Sequence, residues 1–261
     1  METIGIDEIA LTKGHSNYAV IISAKDKKGE LTPIAVLPNR LKETVKNFFE
    51  SIPPHLKKTV KTVCTDMYDG FVQAATEVFG IRAVVIDRYH VAKLYREPLD
   101  HLRIEEMKRL KGELEAEEYA KLDGTMWILR KNHECLSKQE KSTLAVVYSH
   151  SPLLKEAHQA ALKLTNVFNR HQSRKDALTQ VNRWIISVKN NETSCFKGFI
   201  KTLERYKSGI LNYFKSRKNS GFVEGLNNKI KVLKRRCYGH SKTESIFRRL
   251  FLDLQGYRVF A

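Results

Sequence analysis

Three carboxylates stand where the chain could bring them to one point. Asp7 closes the apolar segment TIGID, Asp66 closes KTVCTD, and Glu224 lies in an apolar-periodic segment running from Phe222 to Arg236. Hard divalent cations take oxygen ligands, and two of them about 4 Å apart can activate an attacking water or hydroxyl and stabilise the leaving oxygen of a phosphodiester. Asp7 and Asp66 sit near the C-terminal ends of short strands, where neighbouring parallel strands deliver side chains to one sheet edge. Side chains alternate along TIGID, so Ile4 and Ile6 share one face while Gly5 and Asp7 share the other. Gly5 would let another backbone or a ligand come close. Strand-end aspartates also serve as turn or helix-cap residues, a role that Asp7 or Asp66 could have singly and that is expected of Asp69, before Gly70.

The apolar positions around Glu224 are Phe222, Leu226, Ile230 and Leu233, a helical spacing. At about 100° per residue, Glu224 points roughly opposite Leu226, along a row continued by Asn228, Lys231 and Arg235. Such a row is either a solvated helix face or a carboxylate and cations placed beside a phosphate backbone. Lys229, Lys231, Lys234, Arg235 and Arg236 begin mid-helix and reach around more than one face, beyond what complementing a helix dipole requires, so contact with DNA is predicted for them. Asp87 and His90, in IDRYHV, follow an apolar strand directly. They could meet at the same edge to orient a phosphate, bind metal or shuttle a proton, or His90 could simply pack at the start of the next helix. Trp127 and Trp184 could stack on a base. Core packing is the expectation for both, most clearly for Trp184 among Val181, Ile185 and Val188.

The elements that must position these groups change character along the chain. TIGID, YAVIISA and LTPIAVL read as strands separated by turn-forming stretches at 13–17 and 26–29, which suggests an antiparallel meander. A helix over 41–49, the extended KTVCTD, a helix over 70–79 and the extended RAVVID follow. Hairpin-linked strands followed by alternating helix and strand describe an α/β fold with a mixed sheet. From about His90 the pattern is helical: a stripe of Leu94, Leu99, Leu102 and Leu110 broken near Pro98, then helices over 138–148, 153–168, 175–188, 196–214, 222–236 and 244–254.

With 261 residues, 42% of them hydrophobic, the chain can bury a substantial core. Its 46 Lys and Arg against 29 Asp and Glu leave +17, which favours a polyanionic partner. There is no signal-peptide run and no transmembrane stretch, and Cys64, Cys135, Cys195 and Cys237 are too scattered for a zinc ribbon or a disulfide framework. A reduced, cytoplasmic protein with no membrane partner is expected.

Taken in order, IGIDE (4–8), KGHSNYAVII (13–22), TDMYDGF (65–71), VIDRYHV (85–91) and SGFVEGLNNKIKVLKRRCYGH (220–240) resemble the DDE transposases of bacterial insertion sequences, specifically the ISL-three family. The resemblance implies a ribonuclease-H-like mixed sheet with a large all-α insertion before the last catalytic helix. Its domains would be residues 1–97 as the first part of the core, 98–214 as the insertion and 215–261 as the completing helices. It implies Asp7, Asp66 and Glu224 as catalytic and metal ligands for two Mg²⁺ or Mn²⁺ ions, with double-stranded DNA and a second copy of the chain, as a dimer on DNA, as partners. It also implies nucleoid association when bound. Asp87 and His90 look similar to a Cys/Asp-x-x-His element found between the second Asp and the Glu in several eukaryotic transposase superfamilies. Members of the family usually carry a zinc-binding and helix-turn-helix region before this core, whereas the present sequence starts at the first catalytic strand. The expected function is therefore metal-dependent cleavage and strand transfer at insertion-sequence ends. The alternatives are a nuclease of the same fold without strand transfer, and a non-catalytic DNA-binding remnant or regulator of transposition.

Overall fold

The computed structural model describes residues 1–10, 18–191, 194–217, 221–236 and 242–260, without the side chains at 221–224, 227, 234, 236 and 257–260. The turn expected at 13–17 lies outside these residues. Five strands form one mixed sheet: β1 (Thr3–Ala10), β2 (Tyr18–Lys25), β3 (Leu31–Leu37), β4 (Thr62–Thr65) and β5 (Val84–Ile86), in the order β3-β2-β1-β4-β5. β1, β2 and β3 pair antiparallel, while β4 runs parallel to β1 and β5 parallel to β4. The β2–β3 turn closes where the Asp26 carboxylate accepts the Glu30 N–H at 2.8 Å, with Gly29 at φ +89°. That left-handed conformation costs glycine least.

Thirteen α-helices complete the described chain. α1 (Lys42–Ser51), α2 (Pro54–Lys57) and α3 (Asp69–Phe79) interleave with the strands, and α4 (Arg88–Glu113) follows β5. Next come α5 (Ala116–Ala120), α6 (Thr125–Ile128), α7 (Lys138–His150), α8 (Pro152–Asn169), α9 (Arg174–Asn190) and α10 (Lys197–Arg205). The last three are α11 (Lys207–Ser216), α12 (Gly221–Arg236) and α13 (Thr243–Phe260). Two compact units result, Met1–His90 with Tyr206–Ala261, and Val91–Arg205.

In the first unit the alternation along β1 sorts the core. Ile4 and Ile6 pack with Val20, Ile22, Val63 and Val84 beneath Val45 and Phe49 of α1 and Phe71, Ala74 and Ala75 of α3. On the opposite face Ile9, Ala19 and Ile21 meet Leu226, Ile230 and Leu233 of α12 and Ile246 and Leu250 of α13. The sheet is thus covered on both sides, as a mostly buried mixed sheet requires.

Both edges are closed as well. β3 tolerates Pro33 because an edge strand needs fewer ladder donors, and Gln255 of α13 donates to the Leu31 carbonyl at 3.1 Å. Along β5, the Asn212 side chain of α11 donates to the carbonyls of Ile81 and Val84 at 2.9 and 2.8 Å. These contacts cap polar groups that an open edge would leave unpaired.

In the second unit the described residues form helices and short 3₁₀ turns, without strands. α7 starts with a capping box, Ser137 and Glu140 each accepting from the other's backbone N–H. The Trp184 indole N–H donates to the Ala160 carbonyl at 2.8 Å, and its ring meets Phe196 and Phe199 edge-on. Trp184 is therefore a core residue, as its spacing predicts.

Three sequence expectations need correction. The helix does not break at Pro98: α4 continues through it, because Val91, Tyr95, Leu99 and Leu102 are buried on one face on both sides of the ring. Tyr95 also hydrogen-bonds Thr165 at 2.8 Å, while Leu94 is only half-buried. The segment 196–214 is not one helix. α10 buries Phe199, Ile200 and Leu203 in the helical unit, the chain turns at Tyr206, and α11 packs on β5, where a Cβ at Gly209 would come within 2.8 Å of Ile86. Trp127 is not a core residue, being 61% exposed beneath the Arg130 guanidinium.

Candidate active site at the ends of the parallel strands

The parallel register places the acidic residues. Gly5 pairs with Cys64 across β1 and β4, so two residues further on Asp7 comes level with Asp66. Thr65 pairs with Ile86 across β4 and β5, so one residue further on Asp66 comes level with Asp87. The Asp87 N–H donates to the Thr65 carbonyl at 2.9 Å, which carries the ladder to that point. Asp66 and Asp87 directly follow β4 and β5, whereas Asp7 does not close its strand as TIGID suggested: β1 runs on to Ala10 because residues 7–10 stay paired with β2, and Asp7 lies level with the other two from within the strand.

Each is oriented by its own backbone. Asp7 Oδ1 accepts the Glu8 N–H at 2.8 Å, Asp66 Oδ1 accepts the Tyr68 N–H at 3.0 Å, and Asp87 Oδ1 accepts the Tyr89 N–H at 3.1 Å. Asp66 and Asp87 thus act in the turn and cap roles open to strand-end aspartates, and Asp87, only 5% exposed, caps α4. Asp69 opens α3 and accepts the Tyr206 hydroxyl.

Capping does not account for the electrostatics of the other pair. Burial pushes the Asp7 carboxyl up to about 6, and the Asp66 charge adds to the rise. Burial raises the Asp66 carboxyl too. Two desolvated carboxylates side by side cannot both ionise cheaply unless a cation joins them. His90 is half-buried, meets the Tyr89 ring edge-on at 5.6 Å, and lies close enough to lower the pKa of both carboxyls.

Asp7 shares the β1 face of Ile9, the face on which α12 packs through Leu226, Ile230 and Leu233. Glu224 lies on that same helix, but its side chain is outside the described residues, as are those of Lys234 and Arg236. Among the described residues no group of three His, Cys, Asp or Glu is close enough to hold a metal ion. Asn228, Lys231 and Arg235 are exposed along the row predicted for them. Lys229 instead turns to α13, where its ammonium donates to the Asp253 carbonyl at 3.1 Å.

A family model described as "Transposase", that of the ISL-three DDE group, matches residues 4–250. The chain belongs to this transposase family. It is 29% identical over 250 residues, 95% of its length, to the transposase for insertion sequence element IS1001 of Bordetella parapertussis. To the transposase for IS1557 of Mycobacterium tuberculosis it is 24% identical over 282 aligned positions, 99% of its length. It spans 59% and 61% of the length of these two relatives. No solved structure matches it. Among the described residues no helix is long and apolar enough to cross a membrane.

Sequence reasoning passed over one member of this neighbourhood. Arg40, between β3 and α1, lies close enough to Asp66 to act on its carboxyl. No periodicity marks it, because it belongs to neither a strand nor a helix.

Proposed function

We propose that the chain is the catalytic part of a DNA transposase, which cleaves DNA at insertion-sequence ends and joins the freed 3′ end to a target, on a ribonuclease-H-like core. The observation that carries this reading is the pair of half-buried carboxylates, Asp7 within β1 and Asp66 just after β4, brought level by the parallel register so that the charge of Asp66 raises the pKa of Asp7. An antiparallel β1–β2–β3 meander followed by parallel β4 and β5 supports the core assignment, and membership of the family supports the reaction class.

The donor set suits Mg²⁺ or Mn²⁺: hard carboxylate oxygens, whose burial is costly until a divalent cation offsets their charge. Asp7 and Asp66, with Glu224 from α12, would hold two such ions. When bound, they supply Lewis-acid activation of water or of a 3′ hydroxyl and stabilise the leaving oxygen. The chain's own part is to keep the carboxylates in place through the Glu8 and Tyr68 amides. Asp87 fixes the start of α4, and thereby His90, beside them. His90 is placed to meet a phosphate or a proton there.

Double-stranded DNA is the proposed partner, bound by paired copies of the chain. Asn228, Lys231 and Arg235 form its exposed contact row on α12, Lys234 and Arg236 are proposed to join it from their place in the sequence, and Lys229 contributes less because it is engaged with Asp253. Replacing Lys231 and Arg235 together by Gln is expected to weaken binding to all duplex sequences alike. It should also reduce the slope of log K against log salt by about 1.8, roughly 0.9 for each phosphate that is no longer neutralised. Fluorescence anisotropy across a salt series measures this, and an unchanged slope would remove the α12 row from the DNA interface.

Incubating the protein with supercoiled plasmid and Mn²⁺ at low salt tests the function itself. Nicking that EDTA abolishes is expected, followed by joining of a pre-cut 3′ end to target DNA. Nicking without joining would reduce the assignment to a nuclease, and folded, DNA-binding protein that does neither would refute it.

A further inference from the structure

The side chains of Glu8 of IGIDE, Tyr18 of KGHSNYAVII and Tyr68 of TDMYDGF have no part in the mechanism above, and neither has Gly70. They converge on Arg40. Its Nη1 donates to both Glu8 oxygens at 3.3 and 3.2 Å, and its guanidinium lies over the Tyr18 ring at 4.4 Å and the Tyr68 ring at 5.1 Å. The platform is built from the backbone outward. Asp66 takes the Tyr68 N–H and so sets the turn, and the Tyr68 ring then lies across position 70, where a Cβ would come within 2.7 Å of it. Glycine at 70 leaves that space open. Two of the three residues that hold Arg40, Glu8 and Tyr68, are placed by the segments that carry Asp7 and Asp66.

The arrangement uses Nη1 and the guanidinium faces and leaves an edge. No described residue hydrogen-bonds Nε or Nη2, and the side chain is 40% exposed. That edge is the planar fork that grips two oxygens of one phosphate, a geometry a lysine cannot offer. If the arginine served only to neutralise Glu8, neither the aromatic platform nor the position beside Asp66 would be needed.

We propose that Arg40 is a substrate-binding residue whose Nε–Nη2 edge holds a DNA backbone phosphate beside Asp66 of the Asp7–Asp66 pair. The inference rests on the DNA-cleaving reading of that pair and names the residue that sets the strand's position against it. The phosphate fixes strand placement and carries no sequence information, so the contact serves every DNA sequence equally.

The test is binding of a nonspecific duplex by the whole chain, parent against Arg40→Gln and Arg40→Lys, across a salt series. Arg40→Gln is expected to weaken binding roughly 3–10-fold near 0.1 M salt and to lower the slope by about 0.9, while Arg40→Lys keeps the slope. In the parent protein, saturating duplex should protect Arg40 from the arginine reagent phenylglyoxal, as read by peptide mass spectrometry. A folded Arg40→Gln with the parent's slope overturns the proposal, and so does an Arg40 modified equally fast with and without duplex. The second readout needs no variant and decides the matter if Arg40→Gln fails to fold. Parent protein that binds DNA but never nicks it would refute the nuclease reading, with both Arg40 readouts still interpretable.

Discussion

Asp66→Asn is expected to abolish Mn²⁺-dependent plasmid nicking, by roughly 10³-fold or more, given that losing even an outer partner of a metal ligand costs about 10–100-fold. The substitution is conservative for the fold. An asparagine Oδ1 can still accept the Tyr68 N–H that Asp66 accepts at 3.0 Å, so the turn into α3 is retained. What disappears is a negative oxygen at the point where Asp7 and Asp66 lie level. Affinity for nonspecific duplex should change by no more than about 2–3-fold, because the DNA-facing charge lies in cations and not in this pair. Glu224→Gln should behave alike, which tests the proposed ligand whose side chain lies outside the described residues. A folded Asp66→Asn protein that nicks at the parent's rate would sink the assignment of the centre.

Asp7→Asn should make the metal-free protein more stable at neutral pH, by about 3 kcal/mol. The folded-state pKa of Asp7, about 6, lies above its ordinary value of 3.8. The folded protein therefore holds this proton more tightly than the unfolded chain does, and stability falls as pH rises through the window between those values. Below pH 3.8 both states are protonated and the penalty is absent; above pH 6 it is complete. Asparagine removes the buried charge and its repulsion with Asp66 while still accepting the Glu8 N–H. Urea unfolding in EDTA at pH 7.5 and pH 4 should show the variant well ahead at the first and nearly level with the parent at the second. A variant no more stable than the parent at pH 7.5 would mean that Asp7 carries no such burden. Saturating Mg²⁺ should then restore the parent selectively, since only its carboxylate pair gains from the ion.

Both expected effects would arise from one arrangement, in which stability is given up locally to hold charge where, on the proposed function, a cation and a phosphate meet. Such sites commonly carry shifted carboxyl pKa values.

Local signals in the sequence determined a good deal of this protein. Period-two alternation in TIGID separates Ile4 and Ile6 from Asp7, and the folded β1 divides its neighbours along that line. The spacing of Leu226, Ile230 and Leu233 marks the buried stripe of α12, and the opposite row at Asn228, Lys231 and Arg235 is exposed. Trp184 reads correctly as core for the same reason, because helical spacing reports which face is apolar. Ordered motifs sufficed to indicate the family.

Tertiary structure alone decided what depends on residues distant in sequence. Strand register is a property of pairs of segments, so neither TIGID nor KTVCTD could say that Asp7 lies level with Asp66, or that Asp87 continues the row. Pro98 stays within α4 because burial on both sides outweighs its local penalty, and 196–214 divides because its two halves pack in different units. Trp127 is exposed although nothing in its own segment says so. Arg40 is the clearest case: Glu8, Tyr18 and Tyr68 reach it from three separate motifs, and a side chain held by long-range interactions leaves no period in the sequence to read.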